Sequence, residues 1–296
     1  MKKYIIITAL SLIGLAACTK DTIKDVNTGK SIDFRAALDT KGSEITTSNL
    51  AGFYVTSLTE SGAVYFTDES FTKNGDYFES STKYYWPAEE SLNFYAYSPA
   101  ANVLGEDVEI TVNSAAKTLT GYVPSSDISS QLDIVIAKAA GNKADNENTG
   151  VFLQFLHQLS QVEVRALNEN DGFNYSVKGI KIMNVASGGD LDFSVTTKWT
   201  PSADLTSYTV EHDTAVELET ESVSLMPTDG DNAMLIPQTT AAWDIKNDAA
   251  TNSSKGSYLA VNVQITTKDG SRVFPSSGDY GWVAYPIGFE WEPGYK

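Results

Sequence analysis

The chain has 296 residues and a formal net charge of −17, set by 21 Lys and Arg against 38 Asp and Glu. Such acidity argues against nucleic-acid binding, because phosphate recognition needs clustered Lys and Arg, and against electrostatic attachment to anionic lipid. The single cysteine rules out a disulfide framework and a Cys-based metal site, while the length suits two domains of about 100–200 residues each.

The chain opens with Lys2 and Lys3, then an apolar run over residues 5–17. That run is too short to span a bilayer of roughly 30 Å as a helix, which takes about 20 residues. A basic start, an apolar middle and small residues before a cut read as a secretory signal over residues 1–17. Cys18 directly follows Leu15-Ala16-Ala17, and this segment resembles the bacterial lipobox. The resemblance implies removal of the signal before Cys18 and acylation of Cys18. The acyl chains would anchor it in outer-membrane lipid, at about 0.8 kcal/mol per buried CH₂. Residues 18–31 are polar and without periodicity, as expected of a flexible tether.

Beyond the tether the period is two. Ile32, Phe34 and Ala36 alternate with Asp33 and Arg35, and Leu92, Phe94 and Ala96 with Asn93, Tyr95 and Tyr97. Further strands are expected at Val108–Ile110–Val112, over residues 132–137 (LDIVIA), at Val151–Leu153–Phe155–His157, at Val162–Val164–Ala166 and at Leu259–Val261–Val263–Ile265. Many short strands with polar turns and no amphipathic helical stripe predict an all-β protein built of sandwiches. Apolar groups occupy odd positions over 151–159 and even positions over 162–166, so a bulge or turn near His157-Gln158-Leu159-Ser160-Gln161 must reverse the face. Residues 141–150 (GNKADNENTG) have almost nothing to bury and mark the expected boundary between an N-terminal domain, 32–145, and a C-terminal domain, 146–296. Residues 247–256 read as a long surface loop.

No constellation for catalysis stands out. His157 follows Phe155 on the inward face of a strand without a nucleophile elbow, so it reads as a buried, hydrogen-bonded histidine. His212 and His157 are too isolated for a metal site. Asp229-Gly230-Asp231-Asn232 lacks a Glu at the twelfth position, occupied by Thr240, and reads as a turn in place of a calcium loop. The chain is expected to be neither an enzyme nor a holder of metal or cofactor. Tyr84, Tyr85 and Trp86 could line a sugar platform, although such residues more often pack a core.

Several motifs occur in a specific order: Ser31-Ile32-Asp33-Phe34-Arg35-Ala36, Tyr84-Tyr85-Trp86-Pro87, residues 92–99 (LNFYAYSP), residues 153–162 (LQFLHQLSQV), Pro237-Gln238, and Trp291-Glu292-Pro293-Gly294. Together with the lipobox this order resembles the fimbrillin family, the Bacteroidota-type lipoprotein subunits of type V pili. The resemblance implies two transthyretin-like Greek-key β-sandwich domains in tandem. It also implies export to the outer membrane and cell surface, and assembly into a fimbrium by strand exchange. A protease cuts in the first strand, and a strand of the next subunit fills the groove by β-strand addition. Partners would be other pilus subunits and a host protein or glycan receptor. Of the arginines Arg35, Arg165 and Arg272, only Arg35 lies in the first strand, which makes the bond from Arg35 to Ala36 the candidate cleavage point. The family pattern WxPGxxY is usually followed by a final strand, whereas this sequence stops at Tyr295-Lys296. Either it is a fragment, or the subunit accepts a strand without supplying one. A stand-alone surface lipoprotein binding glycans through Tyr84, Tyr85 and Trp86 is the alternative.

Overall fold

Side chains of an extended backbone point alternately to opposite faces, so a run such as Val151–His157, alternately buried and exposed throughout, can satisfy its burial only as a strand. The computed structural model describes residues 29–38, 46–228 and 232–296. Cys18, the signal and most of the tether lie outside the described residues, as do Asp229, Gly230 and Asp231.

In chain order the strands are β1 (Phe34–Leu38), β2 (Gly52–Thr59), β3 (Val64–Asn74), β4 (Tyr77–Ser80), β5 (Leu92–Ser98), β6 (Glu109–Val112) and β7 (Lys117–Tyr122). Next come β8 (Val135–Gly141), β9 (Val151–His157), β10 (Ser160–Val162), β11 (Arg165–Ala166), β12 (Phe173–Ala186), β13 (Gly189–Asp192) and β14 (Lys198–Pro201). The last are β15 (Leu205–Leu218), β16 (Val223–Ser224), β17 (Ala233–Leu235), β18 (Tyr258–Thr267), β19 (Arg272–Phe274) and β20 (Gly281–Pro286). Among the described residues, helix is confined to α1 (Ala101–Leu104), α2 (Lys143–Asn146), α3 (Ala249–Ser254) and a 3-10 turn at Ile128–Ser130. The protein is all-β.

Strands β1-β4-β3-β2-β5-β8-β9 close into a barrel. Its pairs are antiparallel except β1 with β9, which is parallel and closes the ring. Closure removes the free edges an open sheet would present. The interior is dominated by phenylalanine: Phe34, Phe53, Phe66, Phe71, Phe94 and Phe155 meet there with Trp86. A four-stranded sheet, β14-β13-β7-β6, packs with the outer faces of β5 and β8 through Tyr97, Ile134, Ile136, Leu191, Phe193 and Trp199. Both faces of β5 are therefore covered, which is why burial stops alternating over its last three residues.

The second large sheet runs β15-β12-β18-β19, with β20 also on β18. It is built on β12 and β15, each 14 residues long. Among the described residues, short pairs face it, β10 with β17 and β11 with β16. The core between these layers is aliphatic, with Val177, Ile180, Ile182, Val210, Leu225 and Leu235 at its centre.

The boundary expected between 32–145 and 146–296 is corrected by the strand pairing. Residues 141–150 connect β8 to β9, and β9 closes the barrel on β1, so the expected linker lies within the first unit. Its polar composition serves a tight connection: the Asn142 side chain caps α2 by accepting from Asp145 N, and Gly150 adopts φ +68°. The halves also interleave further on, since β13 pairs with β7. In its pairing the first unit is a closed ring of strands, within an all-β architecture consistent with the expected β-sandwich fold. Residues 247–256, expected as loop, contain α3, capped by Asp248. The face reversal after His157 falls where the chain leaves the barrel for β10 in another layer, through buried Gln158 and Leu159.

Candidate functional site

Strand β1 is the element around which the first unit closes. Its alternation sends Phe34 inward, fully buried, and Arg35 outward into solvent. Phe34 meets Phe53, Phe71 and Phe94 edge-on, at ring-centroid distances of 6.0, 4.7 and 5.1 Å. Edge-to-face pairs add about 0.5–1.5 kcal/mol each beyond area burial, so one side chain carries much of the strand's hold on the core. Arg35 places its guanidinium 6.0 Å from the centroid of the Phe152 ring on β9, at the outer limit of a cation–π contact.

The backbone of β1 is held unevenly. Phe34 to Leu38 pair in parallel with Val151 to Phe155, whereas pairing with β4 is confined to Phe34 opposite Phe78. Ahead of the strand, Ile32 N donates to Tyr84 O at 2.7 Å, and Ser31 bridges Tyr85. Leu38 N donates to Thr47 Oγ1 at 2.9 Å. The bond from Arg35 to Ala36 thus lies in the middle of a hydrogen-bonded ladder.

Asp33 sits beside this ladder and is not singled out by the sequence pattern, where it is simply a polar residue between Ile32 and Phe34. Its backbone O accepts from Val151 N at 3.0 Å, while its Oδ1 is buried without a hydrogen-bond partner. Burial, followed by repulsion from Glu79, pushes its carboxyl above the ordinary carboxylate range; Lys30, Lys83 and Arg35 pull the other way. Gly150 makes the approach possible, since a Cβ there would come 2.7 Å from Asp33 Oδ1 and 3.2 Å from the Tyr77 ring.

The three aromatic candidates for a sugar platform do not form one. Trp86 is 2% exposed and meets Phe94 edge-on in the barrel core, which corrects its reading as a glycan contact. Tyr84 is half-buried against the same core; its hydroxyl donates to Glu69 Oε2 at 2.9 Å, and burial followed by that bond raises its pKa. Tyr85 is the most open of them, at 37%. The segment instead clamps the start of β1 through the main chain of Tyr84 and Tyr85. His157 is buried with Nδ1 2.6 Å from Asp133 Oδ2, tying the end of β9 to the segment just ahead of β8. His212, on β15, is drawn below the ordinary histidine range by burial.

A family model described as fimbrillin-like matches residues 27–296. The chain belongs to the fimbrillin-like family. Solved structures similar to this fimbrillin-like chain include a candidate cell adhesion protein from Bacteroides uniformis, 15% identical, with 90% of this chain and 99% of that one covered and a TM-score of 0.44. Another from Bacteroides eggerthii is 12% identical, with coverage of 90% and 84% and a TM-score of 0.43. A candidate adhesin from Bacteroides ovatus is 11% identical, with coverage of 92% and 88% and a TM-score of 0.38. No curated protein matches the chain. Fimbrillin-like membership supports an adhesive, pilus-type role at the cell surface, and such proteins are structural rather than catalytic.

Proposed function

We propose that the protein is a pilus subunit exported as a lipoprotein through Cys18, anchored in the outer membrane, and assembled with other subunits by β-strand exchange at the place of β1. The observation that carries this reading is the construction of β1. It is a short parallel strand in an otherwise antiparallel ring, and it plugs the aromatic core with Phe34 while presenting Arg35 outward.

A cut after Arg35 has a defined consequence. Ile32 and Phe34 would leave the core, and Ala36 to Leu38 would keep their pairing with Leu153 to Phe155. The groove opened is therefore the first half of the β1 site, between β4 and β9. A replacement strand must bring a large apolar side chain to the position of Phe34, while its main chain renews the ladder to β9. Proteases bind extended substrate, so β1 must first detach from β9 for its ladder-bound Arg35 to be cut. This limits cutting to a transiently opened form. Release of the N-terminal piece would also free the subunit from the Cys18 anchor and pass it into the fimbrium.

Digesting the purified full chain with an Arg-specific protease tests this. The expected result is a new N-terminus at Ala36, followed by SDS-resistant ladders. Assembled particles whose subunits all retain Cys18 at the N-terminus would overturn the proposal.

A further inference from the structure

We infer that the outer face of the C-terminal sheet binds a carboxylate-bearing oligosaccharide, one carrying uronic or sialic acid, at a site built around Trp282 and Lys181. The site is separate from strand exchange at β1 and requires no cut at Arg35.

Alternation along β18 and β20 sends Val261, Val263, Val283 and Tyr285 to the inner side of the sheet, where they line an open apolar cavity of about 310 Å³. Asn262, Gln264, Trp282 and Ala284 therefore face the other way. Trp282 is 40% exposed. The register places it in one row with Asn262, Gly179 and Glu211, and the next row holds Ala284, Ala260, Lys181 and Thr209.

Lys181 decides the chemistry. Glu211 is its diagonal neighbour on β15, a position a long side chain can reach. Lys181 instead extends across β18 and sets its Nζ 4.3 Å from the centroid of the Trp282 ring. Ala260 lies beneath that crossing, which accounts for its 5% exposure at an outward-facing position. The ammonium has no carboxylate or hydrogen-bond partner among the described residues. A chain of net charge −17 thus holds an uncompensated cation against an exposed indole. A ligand that brings a carboxylate to Lys181 and an apolar ring face to Trp282 meets both groups. Because Lys181 is already held on the ring, less of its freedom is lost on binding.

The rest of the face sets the kind of carboxylate. The Asn262 amide has no partner among the described residues, so it can both donate to and accept from hydroxyl groups. Gly179 and Ala284 keep the floor around it low. Farther along, Trp243 stacks on Tyr258 with ring centroids 4.5 Å apart. Tyr258 stands four residues from Asn262 on β18, about 13 Å at roughly 3.3 Å each. Two ring platforms at that spacing, with an amide between them, fit several linked sugar rings. A fatty acid would need a buried channel for its tail, and a peptide strand a free edge. This face has neither, since β18 and β12 are each paired on both sides. The acidity of the whole chain repels dense polyanions and favours a sugar with sparse carboxylates.

Calorimetric titration of the full chain tests this with two acidic probes, each with a neutral control. One is a tetrasaccharide of alternating glucuronic acid and N-acetylglucosamine, set against its carboxyl-reduced form. The other is sialyllactose, set against lactose. At least one acidic probe is expected to bind saturably and about tenfold or more tighter than its control, and which one does so identifies the source of the carboxylate. Lys181→Met should remove that preference, and Trp282→Ala should abolish binding, both at an unchanged melting temperature. Equal binding of acidic and neutral sugars would overturn the proposal. So would full affinity in Lys181→Met, or no binding of either acidic probe up to about 10 mM. Self-association of the chain that Trp282→Ala abolishes would also overturn it, by showing that the face serves a protein partner.

Discussion

The two large strand assemblies of this molecule solve the same burial problem differently. Both are written in alternating apolar and polar residues, yet one closes and the other does not. In the barrel every strand has two neighbours, and the interior is an aromatic cluster centred on Phe34. In the C-terminal sheet the opposing layer is made of two- and three-residue strands, and aliphatic side chains on β18 and β20 remain partly open. Closure therefore does not follow from strand pattern. It follows from one parallel pairing, β1 with β9, which has no counterpart in the second assembly among the described residues.

The sharpest way to break this contrast is Phe34→Ala. Removing a fully buried phenylalanine is expected to cost about 3–5 kcal/mol, which denaturant unfolding would measure. Val261→Ala, in the open cavity, should cost about 1 kcal/mol or less, since its methyls are already partly in water. Comparable losses would mean that the C-terminal cavity is closed in solution. Trp86→Ala belongs with the large effects: at 2% exposure it should also cost about 3–5 kcal/mol. A Trp86→Ala variant as stable as the parent would restore the sugar-platform reading of Tyr84, Tyr85 and Trp86.

Much of this is legible from residue order, because the two-residue period is local. β9 shows the strict alternation its sequence predicts, and the face reversal after His157 marks a real change of layer. His157, expected to be buried and hydrogen-bonded, is so, with Asp133 as partner. What is not legible is non-local. Nothing in Phe34 to Leu38 says that its neighbour is Val151 to Phe155, so the polar segment before β9 reads as a domain boundary. The Tyr84-Tyr85-Trp86 run is equally rich in aromatic surface whether it faces a sugar or a core. Its inward turn is decided by Phe94 and the barrel interior. Asp33 is polar by its place in the alternation, and only the arrival of Gly150 and Tyr77 buries it.

That burial gives a smaller, pH-dependent effect confined to the barrel. The folded-state pKa of Asp33 is raised above its ordinary value of 3.8, chiefly by burial. The neutral carboxyl is therefore favoured in the fold. Its stabilising share is fully present below that ordinary value and is lost as pH rises through the folded one. Because the chain is strongly acidic overall, the informative quantity is the difference between parent and Asp33→Asn across the pH range. The amide has no charge to desolvate, so the variant should gain on the parent as pH climbs from acid to neutral, with β1 docking the tighter for it. A constant difference across the range would show that Asp33 reaches water in solution.

Arg35→Gln should disturb stability least and separate structure from processing most cleanly. The side chain is exposed, and its contact with the Phe152 ring lies at the limit of range, so the expected loss is within about 0.5 kcal/mol. The ladder from Phe34 to Leu38 and the Phe34 contacts are left in place. If the barrel is opened by cutting at this bond, the variant should keep its N-terminal piece under an Arg-specific protease while the parent loses it, at equal melting temperatures. Since β1 must detach before the bond is reached, cutting at Arg35 should also be slower in Asp33→Asn than in the parent at neutral pH, where the variant holds β1 more firmly. Equally fast cutting with and without that firmer docking would mean that the protease acts elsewhere, and that closure of the barrel, not its opening, is the working state.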